Sequence, residues 1–182
     1  MPRIEQTPLP GCFLIHPDVH EDARGVFLES FNRKSLQALP GGCPDFVQDN
    51  LSVSKKHVLR GLHYQKGPDA QAKLVRVLKG RVRDVVVDLR PGSPTVGHYF
   101  SIELSDRNHL AVFIPKGMAH GFLSLEDDTL FSYKCDAYYA PGAEAGIRYD
   151  DASLAIDWGV PHDSIILSEK DKGLPGYNQA DL

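Results

Sequence analysis

A chain of 182 residues, 42% hydrophobic and 24% charged, has the composition of a folded domain able to bury a core, which excludes global disorder. Its net charge of −4 and pI near 6.0 give no positive field for a polyanion, so nucleic acid is excluded as the main partner. No apolar run approaches the roughly 18 residues of a membrane helix, and the first residues, MPRIEQTPLPGC, lack the basic-then-apolar layout of a signal peptide. Cys12, Cys43 and Cys135 are far apart with no CxxC pair, so they read as buried thiols in a reducing compartment, the cytoplasm.

Sixteen glycines and 13 prolines punctuate the chain, and short strands are expected between them. In chain order these are 12–16, 26–30, 73–78, 82–89, 98–104, 111–114, 120–125 and 129–135, each rich in Val, Ile, Leu, Phe or Tyr. One helix is expected over 32–39, with Asn32 as N-cap and the PGG at 40–42 as its stop. From about Asp150 the chain reads as irregular, with a short helix near 168–172. Many short strands and no internal repeat predict one all-β domain over 1–182, a sandwich or barrel.

Two hairpins are expected. The KGPDA loop at 66–70 centres on Pro68 and would set His63 opposite Lys73. The turn at Glu126 and Asp127 would set His120 opposite Tyr133 and Phe122 opposite Phe131. Directly opposed residues share a face, so both pairs would look into one cavity.

The segments VLRGLHYQ (58–65), KLVRVLKG (73–80) and IPKGMAHGF (114–122) resemble the two sequence blocks of the cupins, which implies a double-stranded β-helix, or jelly-roll barrel. Metal-binding cupins use two His and a Glu of the first block and a His of the second. Here Gln65 stands at the second His, and Lys73 at the Glu when counted back from Gly80. An ammonium has only donors and cannot ligate a metal. Asp69 offers a carboxylate if the count runs forward from Gln65. The expectation is no metal, and a metal-dependent cupin oxygenase is the rival reading from another enzyme class.

Longer blocks sharpen the resemblance. DARGVFLE (22–29), NLSVS (50–54) with LRGLHYQ (59–65), AKLVR (72–76), DVVVDLRPGSPT (84–95), YKCD (133–136) and SEKD (168–171) occur in order across almost the whole chain. Together they are similar to the dTDP-4-dehydrorhamnose 3,5-epimerase family. The resemblance implies inversion of C3 and C5 of dTDP-4-keto-6-deoxy-D-glucose without metal or organic cofactor. It also implies a homodimer, and a role in dTDP-L-rhamnose synthesis for cell-surface polysaccharide. A relative that inverts only C3 or only C5 would share the same machinery. Two departures stand out: His57 where the family usually has Gly, and Arg148 and Tyr149 in place of a Trp-Asn style.

Both carbons flank the C4 ketone, so the chemistry needs a base on one face, an acid on the other and a cation at the ketone oxygen. His63 is the base candidate, since neutral imidazole accepts a proton near pH 7. Tyr133 fits the acid and Lys73 the cation, although strand tyrosines and lysines also serve packing and solvation. The resemblance supplies Asp171 as the carboxylate partner of His63, with Asp84 as its rival. It carries Arg24 and Arg60 to the diphosphate, where guanidinium forks suit phosphate oxygens. Glu29, Gln48 and Asn50 are carried to the nucleotide and His120 to the sugar pocket, while Glu144 and Lys170 are carried over as substrate-binding residues, with solvated loop charges as the alternative. Phe27 and Tyr139 stack on thymine in this reading, with core packing as the alternative.

Overall fold

The computed structural model describes residues 1–180. Its strands are β1 (Arg3–Gln6), β2 (Phe13–His16), β3 (Val19–Asp22), β4 (Gly25–Leu28), β5 (Gln48–Ser54), β6 (Leu59–Gln65) and β7 (Lys73–Lys79). Then come β8 (Arg81–Asp88), β9 (Tyr99–Ser105), β10 (Ala111–Ile114), β11 (Met118–Ser124), β12 (Thr129–Cys135) and β13 (Glu144–Gly146). Two antiparallel sheets, ordered β1-β2-β10-β7-β12-β5 and β13-β6-β11-β8-β9, face each other as a jelly roll, while β3 and β4 form a separate hairpin. Helix α1 (Arg33–Leu36) is capped by Asn32, whose side chain accepts from the backbone of Lys34 and Ser35. Helix α2 (Glu169–Lys172) is capped by Ser168. Among the described residues no helix is long and apolar enough to cross a membrane.

Alternation along the strands sorts the core. On β8, Val82 and Val86 point between the sheets, beside Val75, Val77, Phe122 and Phe131. Val85 and Val87 point the other way, where the C-terminal segment covers them with Ile147, Leu154, Ile156 and Trp158. The outer face of the larger sheet is covered by Leu36 and Leu39 of the α1 segment, packed on Phe13, Leu74 and Phe113. Strands covered on both faces read as continuous apolar runs, which is why β8 and β10 are legible in sequence. Strands β1, β3, β5, β6 and β13 lie outside the expected set: β1, β3, β5 and β13 are short, exposed or polar, and Arg60 and Gly61 interrupt the apolar run of β6. Strand β5 carries Gln, Asn and Ser on the face that lines a cavity and exposes Leu51 and Val53 on the other.

Neither expected hairpin exists. Strands β6 and β7 belong to different sheets, as do β11 and β12. A jelly roll sends the chain from one sheet to the other at these connections, so residues expected to be ladder partners meet across the sandwich instead. Phe122 and Phe131 do stack, with centroids 4.0 Å apart, but between sheets. His63 pairs in register with His120 of β11, and Lys73 with Ile114 and Cys135.

The β6–β11 register breaks between His120 and Phe122. Strict alternation would send Arg60 and His63, three residues apart, to opposite faces; the irregularity brings both to the inner one. It requires glycine, because a Cβ on Gly61 would lie 2.5 Å from the Gly121 Cα. His57 has φ of 65°, so the turn before Arg60 does use the left-handed conformation that glycine adopts most easily. Arg148 ion-pairs with Asp150, and the Tyr149 carbonyl accepts from the Trp158 indole; both departures lie away from the cavity.

Candidate active site

Between the sheets, closed on one side by the α2 segment, lies a cavity of about 610 Å³. It gathers eleven of the expected residues: Gln48, Asn50, Arg60, His63, Lys73, His120, Tyr133, Tyr139, Glu144, Lys170 and Asp171. His63 enters from the smaller sheet; Lys73 and Tyr133 enter from the larger one. Any ligand held there is contacted from two opposite sides by construction.

The histidine partners are settled by geometry. His63 Nε2 donates to Asp171 Oδ1 at 2.6 Å, leaving Nδ1 with the free lone pair. Asp84 serves His120 instead, its Oδ2 lying 2.8 Å from Nε2. Burial pushes the Asp171 carboxyl upward, but hydrogen bonds from His63, Ser168 and the Gly61 N–H outweigh it and hold the group below the ordinary carboxylate range. Asp171 therefore stays charged and fixes the orientation of the ring. His120, the register partner of His63, is buried, its ring stacked 5.9 Å from Phe131.

Lys73 is only 8% exposed, and its Nζ reaches the His63 carbonyl oxygen at 3.5 Å. Among the described residues no carboxylate lies within ion-pair distance of it. Burial lowers its pKa from the lysine value, opposed by the charges of Cys135, Glu144 and Asp84. A cation without a fixed counter-ion, facing a cavity, is set to bind developing negative charge. Burial raises the Tyr133 phenol, with Cys135 and Glu144 adding to it and Arg60 opposing, so its proton is retained through neutral pH. At the rim, the Tyr139 hydroxyl donates to Glu144 at 2.5 Å, and Glu144 also pairs with Lys170 at 2.5 Å. Arg60 is held by Ser54 Oγ.

Three expected residues are not brought to this cavity. Arg24 ion-pairs with Asp22 at the exposed tip of the β3–β4 hairpin, and Phe27 of β4 is 71% exposed. Glu29 accepts from Asn32 beside a second cavity, of about 340 Å³, which Phe27 also lines. Among the described residues the hairpin pairs only with itself, and its residues do not line the cavity that holds His63. Conversely, the chain reading missed Ser52, Gln71, Cys135 and Ser168 as cavity residues; Ser52 and Cys135 carry the inward parity of Asn50 and Tyr133, a signal that was available. Asp69 is exposed outside the cavity, and the Gln65 amide is committed to backbone groups. Neither they nor Lys73 make a cupin metal-ligand set, and among the described residues no three His, Cys, Asp or Glu side chains converge.

A family model described as dTDP-4-dehydrorhamnose 3,5-epimerase matches residues 6–179. The chain belongs to the dTDP-4-dehydrorhamnose 3,5-epimerase family. The enzyme of that name from Methanothermobacter thermautotrophicus is 46% identical, over 93% of this chain and 91% of its own length. The crystal structure of the Elizabethkingia anophelis dTDP-4-dehydrorhamnose 3,5-epimerase superposes with a TM-score of 0.93 at 48% identity, covering 97% of each chain. That of the Legionella pneumophila dTDP-6-deoxy-D-glucose-3,5-epimerase, in complex with dTDP-4-keto-L-rhamnose, gives 0.93 at 45% identity, covering 98% of this chain and 94% of the other. These relatives and the cavity point to the same epimerase chemistry.

Proposed function

We propose that this chain epimerises C3 and C5 of dTDP-4-keto-6-deoxy-D-glucose to give dTDP-4-dehydro-L-rhamnose, as a single cytoplasmic domain. The observation that carries the reading is the opposition of His63 on the smaller sheet, paired with Asp171 of α2, to Tyr133 and the buried Lys73 of the larger sheet. His63 removes the proton next to the C4 ketone. The resulting enolate oxygen is held by the Lys73 ammonium, and Tyr133 returns a proton to the opposite face, inverting the carbon; exchange with water then deprotonates His63 and reprotonates Tyr133 before the second carbon reacts. Deprotonation and reprotonation conserve electrons, so the chemistry itself calls for no redox cofactor. Arg60, Gln48, Asn50, Tyr139, Glu144 and Lys170 would receive the nucleotide diphosphate around the rim, and His120 the sugar. The product would feed dTDP-L-rhamnose synthesis for surface polysaccharide.

Deuterium wash-in tests this directly. Turnover in D₂O should place label at both C3 and C5, read by NMR. Label at one carbon alone would mean a single-centre epimerase, and no label above the enzyme-free control would end the reading. Tyr133→Phe sharpens it: the enolate still forms, but only the deuterated His63 can return a proton. Label is then expected with configuration retained; wild-type rates of inversion would remove Tyr133 as the acid.

The homodimer gives Arg24, Phe27 and Glu29 a place. Their hairpin is exposed, with Val26 at 49% and Phe27 at 71%. The larger sheet ends at β5, whose edge carries exposed Leu51 and Val53. Unpaired edges and contiguous apolar surface favour association, and in this reading the hairpin of one chain reaches the cavity of the other. Arg24→Ala and His63→Ala chains, each inactive alone, should then regain up to about a quarter of wild-type activity when unfolded and refolded together, since half the dimers are mixed and each holds one intact site. Absence of regained activity would return the hairpin residues to a role outside the site.

A further inference from the structure

We propose that Gln65 is a positioning residue that sets the nucleotide affinity of the site by clamping the segment that carries Tyr139. Gln65 occupies an inward position on β6, is 5% exposed, and spends its whole amide on backbone. Its Nε2 donates to the carbonyls of Asp69 at 2.7 Å and Tyr138 at 3.2 Å, and its Oε1 accepts from the Ala140 N–H at 2.8 Å. Two more amides grip the same stretch from other elements. Gln71 Nε2 donates to the Ala137 carbonyl at 2.8 Å, and Gln48 Oε1 accepts from the Tyr139 N–H at 2.8 Å.

The segment between β12 and β13 is thus held by side chains where a strand would be held by a ladder. Loops gain mobility when such bonds are lost, and the side chain of this segment that lines the cavity is Tyr139. Its ring is 52% exposed at the cavity rim, and its hydroxyl is tied to Glu144, which is tied to Lys170 of α2. The ring's placement comes from the clamp, because little packing surrounds it. The base and cation sit on β6 and β7 themselves, inside strand ladders. Loosening the clamp therefore weakens ligand capture and spares the proton transfer. The inference rests on the reading above, in which Tyr139 lies against the nucleotide.

The experiment measures the Kd for dTDP and the steady-state kinetics of wild type, Gln65→Met, Tyr139→Ala and the double variant. Gln65→Met is expected to raise Kd and KM about tenfold, the scale of one or two lost buried hydrogen bonds, with kcat within about threefold. On the Tyr139→Ala background the same change should add less than about twofold, because the clamp then has no ring to place. Full additivity, or a fall in kcat at unchanged KM, would overturn the proposal in favour of a general structural role. Should Gln65→Met fail to fold, Gln71→Met removes one donor to the same segment and is judged by the same non-additivity. A wild-type chain that binds dTDP without exchanging deuterium would overturn the epimerase reading, and the clamp would then be decided on Kd alone.

Discussion

His63→Ala should lower the rate of deuterium exchange at both carbons by roughly 10²–10⁴-fold, the range of a lost general base, while dTDP affinity stays within a few fold. The asymmetry follows from position. His63 lines the cavity with its Nδ1 free, whereas the groups assigned to the nucleotide are other side chains: Arg60 at the far end of β6, Gln48 and Asn50 of β5, Tyr139, Glu144 of β13 and Lys170 of α2. The substitution also frees Asp171, a 5% exposed carboxylate that loses one of its hydrogen-bond donors. Removing one partner of a buried charged pair is costly, so Tm should fall as well. The Asp171 pKa lies below its unfolded value in the wild type. Its contribution to stability is therefore present above the ordinary carboxylate range and is lost as pH falls through the depressed folded value. In His63→Ala that acid-dependent loss should shrink. Near-normal exchange in the variant would remove His63 as the base.

Lys73→Met should move activity and stability in opposite directions. The enolate loses its cation, and a drop of about 10²–10³ in kcat is expected for a missing oxyanion donor. The fold loses a buried charge that has no fixed counter-ion, and methionine fills the same volume with apolar atoms. Tm should rise, by roughly 2–4 °C for each kcal/mol recovered in a chain of this size. The pH dependence separates this from a packing effect. Because burial lowers the Lys73 pKa, the wild-type rate should fall on the alkaline side earlier than an ordinary lysine would allow. Tyr133 is shifted upward, so its proton is not what is lost in that range. Stability runs the other way: the folded state resists protonation of Lys73, and the destabilisation is relieved as pH rises from the lowered value toward the ordinary lysine value. Lys73→Met should lose both the alkaline limb and that relief. Unchanged kcat would show that the enolate charge is held elsewhere.

The parts of the site that were legible from the chain are those whose chemistry is local. The short helix near 168–172 is local in this sense, because its start depends on residues three apart, whereas Asp171 came from the resemblance. The inward parity of Lys73, Val75 and Val77, and of Phe131 and Tyr133, follows from the period of two. Strand β5 was not legible, because a strand that lines a polar cavity on one face and exposes valine and leucine on the other reverses the expected pattern. The β6 register was not legible either. Parity counting across Gly61 puts Arg60 and His63 on opposite faces, and only contact with Gly121 of β11 forces the break that brings them together.

Pairing across space lay furthest from the sequence. Local turn geometry predicts ladder partners for His63 with Lys73 and for His120 with Tyr133, yet these residues face each other from different sheets. The choice between Asp84 and Asp171 likewise needed the fold, since one is on β8 under His120 and the other on α2 under His63. Residue types, strand propensities and caps are properties of a few neighbours and were determined by the sequence alone, together with the family those motifs resemble. Which sheet each strand joins, and so which carboxylate meets which imidazole, depends on contacts many residues apart. Those are chosen by burial of the whole core, and only the tertiary structure decided them.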